Sequence, residues 1–472
     1  MSSTKGEQAQ QISPVMRGLA TYIARALRKP LPGPVQEKTK HHVLDTIAAM
    51  VSGSRLLPGR RAISYIRTRG GTPEACVVGS RIVTSAENAA LANGMLAHAD
   101  ETDDSHTPTS QHPGCGIVSA ALAMAERERR DGTALLRAVA LGYDVSARIN
   151  RALQAYEFRV VGHSTHSFGP MFGAAAAAGA LAGLGYDQVR HLLSYAAQQI
   201  SGICCWQRDT EHIEKAFDFG GMPARNGVAA ASMVAHGFTA VEDVFSGERN
   251  FFVAYDESAR IGKAPEPERL ISRLGATYEI MDTAIKRWSV GAPIQAPLDA
   301  LLELVRVHHV KPDDVERVVV RISHNSAFTV NNRDMPDICL QHLCAVMLLD
   351  GIVTFASSHD EKRMKDRRVL GLRSRIELHG DNALTQVYNE RNIRQGIVEI
   401  RLKDGRELRH HTKAVSGTPA NPMTRAEVDE KGFHLMAPVL GRKRARALCD
   451  AVWNLEKMSD LRSLRPLLRT QS

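Results

Sequence analysis

The stretch His98–Gly114, HADETDDSHTPTSQHPG, gathers four acids, three histidines and five hydroxyl residues into seventeen positions. It lies between two apolar runs, LANGMLA and IVSAALAMAERE, that read as buried helices, and Pro108, Pro113 and Gly114 break any helix across it. A chain seldom sets so many ionisable groups between buried helices unless they meet a ligand, which makes this polar loop the leading candidate active site. Carboxylates and imidazoles together perform general acid–base work. His98, Asp100, Asp103, His106 and His112 are also suitable ligand types for zinc, manganese or iron. Their spacing matches none of the common zinc motifs.

Three further polar islands carry candidate chemistry. Gly162–Gly169, GHSTHSFG, precedes an alanine-rich run, and the amides at that helix's amino end attract an anion beside His163 and His166. Lys215–Gly227, KAFDFGGMPARNG, is a glycine-containing turn with Lys215 at its head. Lys286–Gln295, KRWSVGAPIQ, opens a helix. Each has a plainer reading: a histidine ahead of a helix is commonly a hydrogen-bonded structural residue, and a lysine in a helix–turn connection is commonly solvated. The absence of G-x-S-x-G, P-loop and G-x-G-x-x-G patterns weakens hydrolase, nucleotide and dinucleotide readings.

The elements that must position these islands are mostly helical up to about residue 260. Val35–Val51, Ala134–Leu153, Asp187–Ile200 and Gly227–His236 have helical apolar spacing. Phe172–Leu184, FGAAAAAGALAGL, is so poor in bulk that neighbouring backbones must approach it closely, so it is predicted to be central. Later, Val315–Ile322 alternates like a half-buried strand, and Arg375–Leu378 is a shorter one. Ile397–Leu402 and Glu407–His411 flank Asp404-Gly405 as a hairpin. Ile294–Val307 and Asp337–Gly351 read as helices between the strands. A Pro-rich connection, SGTPANPMT, precedes a final helix with Leu448, Val452, Leu455 and Met458 on one stripe. The predicted fold class is mainly α with a smaller α+β domain. Its parts are a helical domain over 12–269, an α+β domain over 270–412, and a return to the helical domain over 413–472.

Composition narrows the function classes. The 43% apolar content is ordinary for a globular protein, and no apolar run approaches the ~20 residues of a membrane span. The polar amino terminus, MSSTKGEQAQQISP, has no signal-peptide core and reads as a disordered lead-in to a cytoplasmic protein. Seven scattered cysteines with no C-x-x-C pair argue against a disulfide framework, a zinc ribbon or an iron–sulfur cluster. The net charge of +9 is spread out; its densest pieces, Lys362–Arg368 and Arg442–Arg446, lack interleaved aromatics. Nucleic-acid or partner binding by a basic helical protein is therefore the lesser reading, and collection of polycarboxylates the greater.

Taken together, the islands resemble the MmgE/PrpD family, which includes 2-methylcitrate dehydratase and cis-aconitate decarboxylase. The likeness runs from about Leu19 to Leu440 through HHVLDTIAAMVSG, HADETDDSH…HPG, the histidine before the alanine-rich helix, KAFDFGGMPARNG, GFTAVEDVFSGERNFF, IKRWSVG and GTPANPMTRAEVDEKGF. It implies a homodimer with a large helical domain and a smaller α+β lid domain, working without metal or organic cofactor on a small polycarboxylate. The expected activity is dehydration, with 2-methylcitrate as the default substrate. Decarboxylation of a cis-aconitate-like acid and isomerisation or epimerisation are the alternatives. The resemblance assigns catalysis to Glu101, His163 and Lys215. It assigns substrate binding to Asp100, Asp104, Ser105, His112, Lys286, Gln295 and His342. Glu101 and Ser105 stand where the family usually has aspartate and threonine, and Asp100 is the alternative loop acid. Gln295 replaces a histidine of the decarboxylases, His342 replaces a tyrosine, and the turn after Lys215 is one residue longer.

Overall fold

Local sequence signals set most helix ends where the apolar pattern places them. A computed structural model describes residues 11–391 and 393–470, so the lead-in over residues 1–10 lies outside the described residues. Ser85 caps Ala86–Ala97 by accepting from the Asn88 amide, and Asp131 caps Gly132–Ala152 by accepting from Ala134. Pro113 does not break a helix; it is the first residue of Pro113–Arg127, where a missing N–H costs nothing. No helix among the described residues is long and apolar enough to cross a membrane.

The chain divides into two units. Of the described residues, the first comprises 11–99, Thr109–Met281 and 436–470; the second comprises Asp100–Pro108 and the described part of Asp282–Leu435. Both boundaries differ from the expected 270 and 413. Residues 270–281 stay with the helical unit because Asp144 accepts from the Glu279 amide, Arg151 pairs with Glu279 at 2.9 Å, and Arg148 donates to Ser272 O. The Pro-rich connection stays with the second unit because Ile285 N donates to Gly417 O and Ser416 N to Asp299.

The helical unit is built around Thr165–Leu181, every residue of which is buried. It packs against Gly132–Ala152, Pro113–Arg127 and Met222–Ala235. The alanine and glycine content has a steric cause. A Cβ on Gly173 would lie 2.5 Å from Gly142 O, and one on Gly94 would lie 2.3 Å from Gly220 O. Backbones touch where side chains are absent. The amphipathic stripe near the carboxyl end is shorter than expected: Arg442–Trp453 is helical, a single tighter turn follows at Leu455–Lys457, and Met458 is only half-buried.

The second unit holds a four-stranded sheet in the order Ile376–Gly380, Val315–Ile322, Gly396–Leu402, Glu407–Thr412; the first pair is parallel and the others antiparallel. Val318, Val320 and Ile322 point into its core with Leu298, Leu301, Leu343 and Val346. Val315 is buried too, although it lies an odd number of residues away. A register irregularity between Val315 and Arg317 turns it inward.

Because the backbones around Gly173 have no room for a methyl, Gly173→Ala should lower unfolding stability by about 3 kcal/mol, at the upper end for overpacking. Urea denaturation that shows an unchanged midpoint would contradict the packing described.

Candidate active site

In the helical unit, four histidines collect at helix ends around one phenylalanine. His98 caps the carboxyl end of Ala86–Ala97, and His112 caps the amino end of Pro113–Arg127. His166 is in the first turn of the alanine-rich helix, and His212 precedes Ile213–Ala216 with φ 62°. Helix ends carry unsatisfied backbone groups, so polar side chains there cost less than in mid-helix. Phe219 is their platform. His98 stacks on it at 4.3 Å and His166 at 3.8 Å between ring centres. His112 lies 4.9 Å from His98 and 5.3 Å from His166, and His212 lies 5.1 Å from His98.

The turn after Lys215 delivers that platform. It forms a wide π-turn, Phe217–Gly221, of a kind frequent at functional sites. Phe219 faces the histidines, and Lys215 Nζ sits 5.3 Å from its ring and 5.6 Å from that of Trp206. Burial drives the His166 imidazole well below its ordinary value, helped by charge from His112, Arg159, His98 and Lys215. His166 is therefore neutral at physiological pH, and its buried Nδ1 makes no hydrogen bond among the described residues.

Asp218, beside Phe219, is buried and receives a 2.5 Å hydrogen bond from Ser164 Oγ, which in turn accepts from Trp206 Nε1 at 3.2 Å. Burial pushes this carboxyl up to about 7, against the Ser164 and Ser167 hydrogen bonds, with Glu214 adding to the rise. The chain Asp218–Ser164–Trp206 holds the indole edge-on to His166 and Phe219.

His163 is placed elsewhere. Its Nε2 lies 2.8 Å from Glu257 Oε1, and its ring stacks on Phe158 at 4.1 Å with edges toward Phe168 and Tyr255. Lys215 shares its aromatic walls with His166, not with His163. The reason is helical geometry: both histidines border the same helix start, and the residue three along is carried onto the face that meets Phe219.

In the second unit, residues 100–106 of the loop Asp100–Pro108 are buried and cations are brought to them. Lys286 Nζ donates to Glu101 O at 2.8 Å, with Glu101 Oε2 at 3.5 Å and Asp103 Oδ1 at 3.8 Å. Asp100 accepts from the amide and hydroxyl of Thr102 and pairs with His359 Nε2 at 3.0 Å. Lys431 donates to Thr102 O, and Arg394 to Thr107 Oγ1. Ser105 exchanges two backbone hydrogen bonds with Ala284. Asp103, Asp104 and His106 are also buried.

Two expected substrate contacts differ in character. Gln295 is occupied: Oε1 accepts from Trp288 N, and Nε2 donates to Trp288 O and Val290 O. These bonds brace the turn after Lys286. His342 is fully buried in the first turn of Leu340–Asp350, and neither ring nitrogen has a hydrogen-bond partner among the described residues. Burial, then Arg373 and Arg363, lowers it to about 4.

Residues 17–263 match the MmgE/PrpD N-terminal domain and residues 288–457 the MmgE/PrpD C-terminal domain. The chain belongs to the MmgE/PrpD family. A cis-aconitate decarboxylase-like protein of Aspergillus oryzae, oryM, is 25% identical over 302 residues, covering 61% of this chain and 61% of that relative's length. Within this MmgE/PrpD chain, His212, Asp218, Phe219 and His359 were not singled out by sequence. His212 and Phe219 flank Lys215 closely enough to have been found; His359, in FASSHDEKRM, carried no signal.

Asp218 gives a pH prediction. Its folded value of about 7 lies above the ~4 of an unfolded aspartate, so its contribution is full below pH ~4 and is lost as pH rises through about 7. The melting temperature of the wild type relative to Asp218→Asn should fall between pH 5 and pH 8; a constant difference contradicts this placement.

Proposed function

We propose that this chain is a carbon–oxygen lyase that dehydrates a hydroxylated di- or tricarboxylate, with 2-methylcitrate as the first candidate. The observation that carries the reading is the neutral, buried His166 set among three further imidazoles and beside Lys215. A base with a free nitrogen and a nearby ammonium is the equipment for removing a proton next to a carboxylate. The proton passes from substrate carbon to His166 Nδ1, the carbon–carbon double bond forms, and the hydroxyl departs as water once it receives a proton. Charge assists the timing. Burial first, then the charges of His112, Arg159, His98 and Lys215, hold His166 low, and an arriving polyanion offsets those charges and raises the basicity of His166 as substrate binds.

The remaining roles follow family resemblance. Glu101 acts as the loop acid, and Ser105, His112, Lys286 and His342 orient carboxylates and hydroxyls. The catalytic histidine is reassigned from His163 to His166. No metal is required in this reading, since the ammonium of Lys215 and the guanidinium of Arg159 make the imidazole cluster a place for anions. Decarboxylation of a cis-aconitate-like acid is the second reading, favoured by the description of the Aspergillus relative. Assembly as a homodimer belongs to the same proposal.

The test is proton NMR of the protein with 2-methylcitrate, citrate and cis-aconitate in separate D₂O samples. A new olefinic signal from a hydroxy acid supports the lyase; decay of cis-aconitate with release of carbon dioxide supports the second reading. His166→Asn should lower kcat about 10²–10⁴-fold, the usual worth of a general base, and His163→Asn less than tenfold. The reverse order would overturn the reassignment. Turnover should survive EDTA, and its loss would restore a metal ion.

A further inference from the structure

The loop acids present a choice that sequence leaves open, because Asp100 and Glu101 are adjacent and both are buried. Their partners separate them. Glu101 meets Lys286, whose Nζ also reaches Asp103. Asp100 is held by Thr102 and His359.

His359 is built for this one contact. It follows the short helix Phe355–Ser358, capped by Thr354, and its ring lies against Phe355 at 4.3 Å. Nδ1 is 2.8 Å from Phe355 O, and Nε2 is 3.0 Å from Asp100 Oδ2. Nδ1 is within hydrogen-bond reach of the carbonyl, whereas Nε2, which makes no hydrogen bond among the described residues, meets the carboxylate as a close ion pair that favours the protonated ring. Ser358 Oγ, 3.1 Å from Nδ1, is itself turned to Phe355 O. The side chain is 16% exposed and that of Asp100 2% exposed, so the pair is shielded from solvent and from salt.

We propose that His359 is a positioning residue, a fixed imidazolium whose ion pair locks Asp100 and thereby the acid loop, while Glu101 is the loop carboxylate set beside Lys286. The charged groups acting on His359 are Asp100 from the loop and Asp337 from the turn Pro336–Ile338, together with the Phe355 carbonyl on its own segment. Burial opposes protonation, yet the Asp100 contact, then Asp337 and the carbonyl, carry the ring up to about 9. The sign follows. The lock is complete below the ordinary histidine value of ~6.5 and is lost as pH rises through about 9. Its role in turnover rests on the function proposed above, but the lock itself does not.

Hydrogen exchange of the loop peptides in the full chain separates the two. With intrinsic rates removed, protection over residues 100–108 should hold to about pH 8 in the wild type and fall through about pH 9. In His359→Gln and in Asp100→Asn it should be reduced at least tenfold already at pH 7, and the double variant should be no worse than the weaker single one. Imidazole NMR, assigned by loss of the signal in His359→Gln, should show a ring protonated to about pH 9 that titrates below 7 in Asp100→Asn. Loop protection unchanged by either variant, or a His359 ring titrating near 6.5 in the wild type, overturns the lock. With an acid that is turned over, kcat should fall in both variants while KM changes little, and the alkaline limb near pH 9 should vanish. If no acid is turned over while exchange and NMR behave as stated, the functional reading fails and the lock stands.

Discussion

Four carboxylates in nine residues leave water only if cations are brought to them. An uncompensated buried charge costs several kcal/mol, enough to consume much of a protein's net stability. The second unit is arranged around this demand. Lys286 emerges from the turn that Gln295 braces, His359 follows a capped helical turn, and Lys431 lies on the helix Arg425–Leu440. Arg394 lies two residues ahead of the strand Gly396–Leu402. The loop Asp100–Pro108 is flanked in sequence by helices of the first unit, yet it is grouped with the residues that neutralise it. Contacts, not chain order, set its membership.

The helical unit solves a different problem. Four imidazoles are clustered without carrying four positive charges, because burial and mutual repulsion keep at least His166 neutral. Phe219 makes the arrangement possible by giving two of the rings an apolar face to stack on, and the π-turn that bears it also brings Asp218 to Ser164. One π-turn thus shapes both the histidine platform and the hydrogen-bonded support behind Trp206. The same turn includes Gly220, which with Gly94 forms a glycine pair where two backbones touch without side chains between them. Alanine and glycine richness, cluster geometry and the wide turn are parts of one packing solution.

Much of this was legible beforehand, for identifiable reasons. Strand Val315–Ile322 was read from period-two alternation, and the hairpin from Asp404-Gly405, because both signals are local. The alanine-rich helix was read as central because small side chains have no other use at that density. The bulge at Val315 was not legible, since it depends on pairing with Leu402 across the sheet. The grouping of residues 270–281 and of the Pro-rich connection is not legible in composition, because it depends on the contacts of Arg148, Arg151 and Asp299.

The sequence by itself determined the chemistry on offer: an acid-rich loop, histidines at helix starts, two lysines at the heads of turns, and the family to which their order belongs. Only the tertiary structure decided which residues face one another. His163 and His166 satisfy the same pattern, and the helix start carries His166 onto Phe219 while His163 meets Glu257. Asp100 and Glu101 are neighbours in sequence, but successive side chains point in different directions, so one meets an imidazole and the other an ammonium. Residue type fixes what a group can do; the partners that fold against it fix its charge, its exposure and its task.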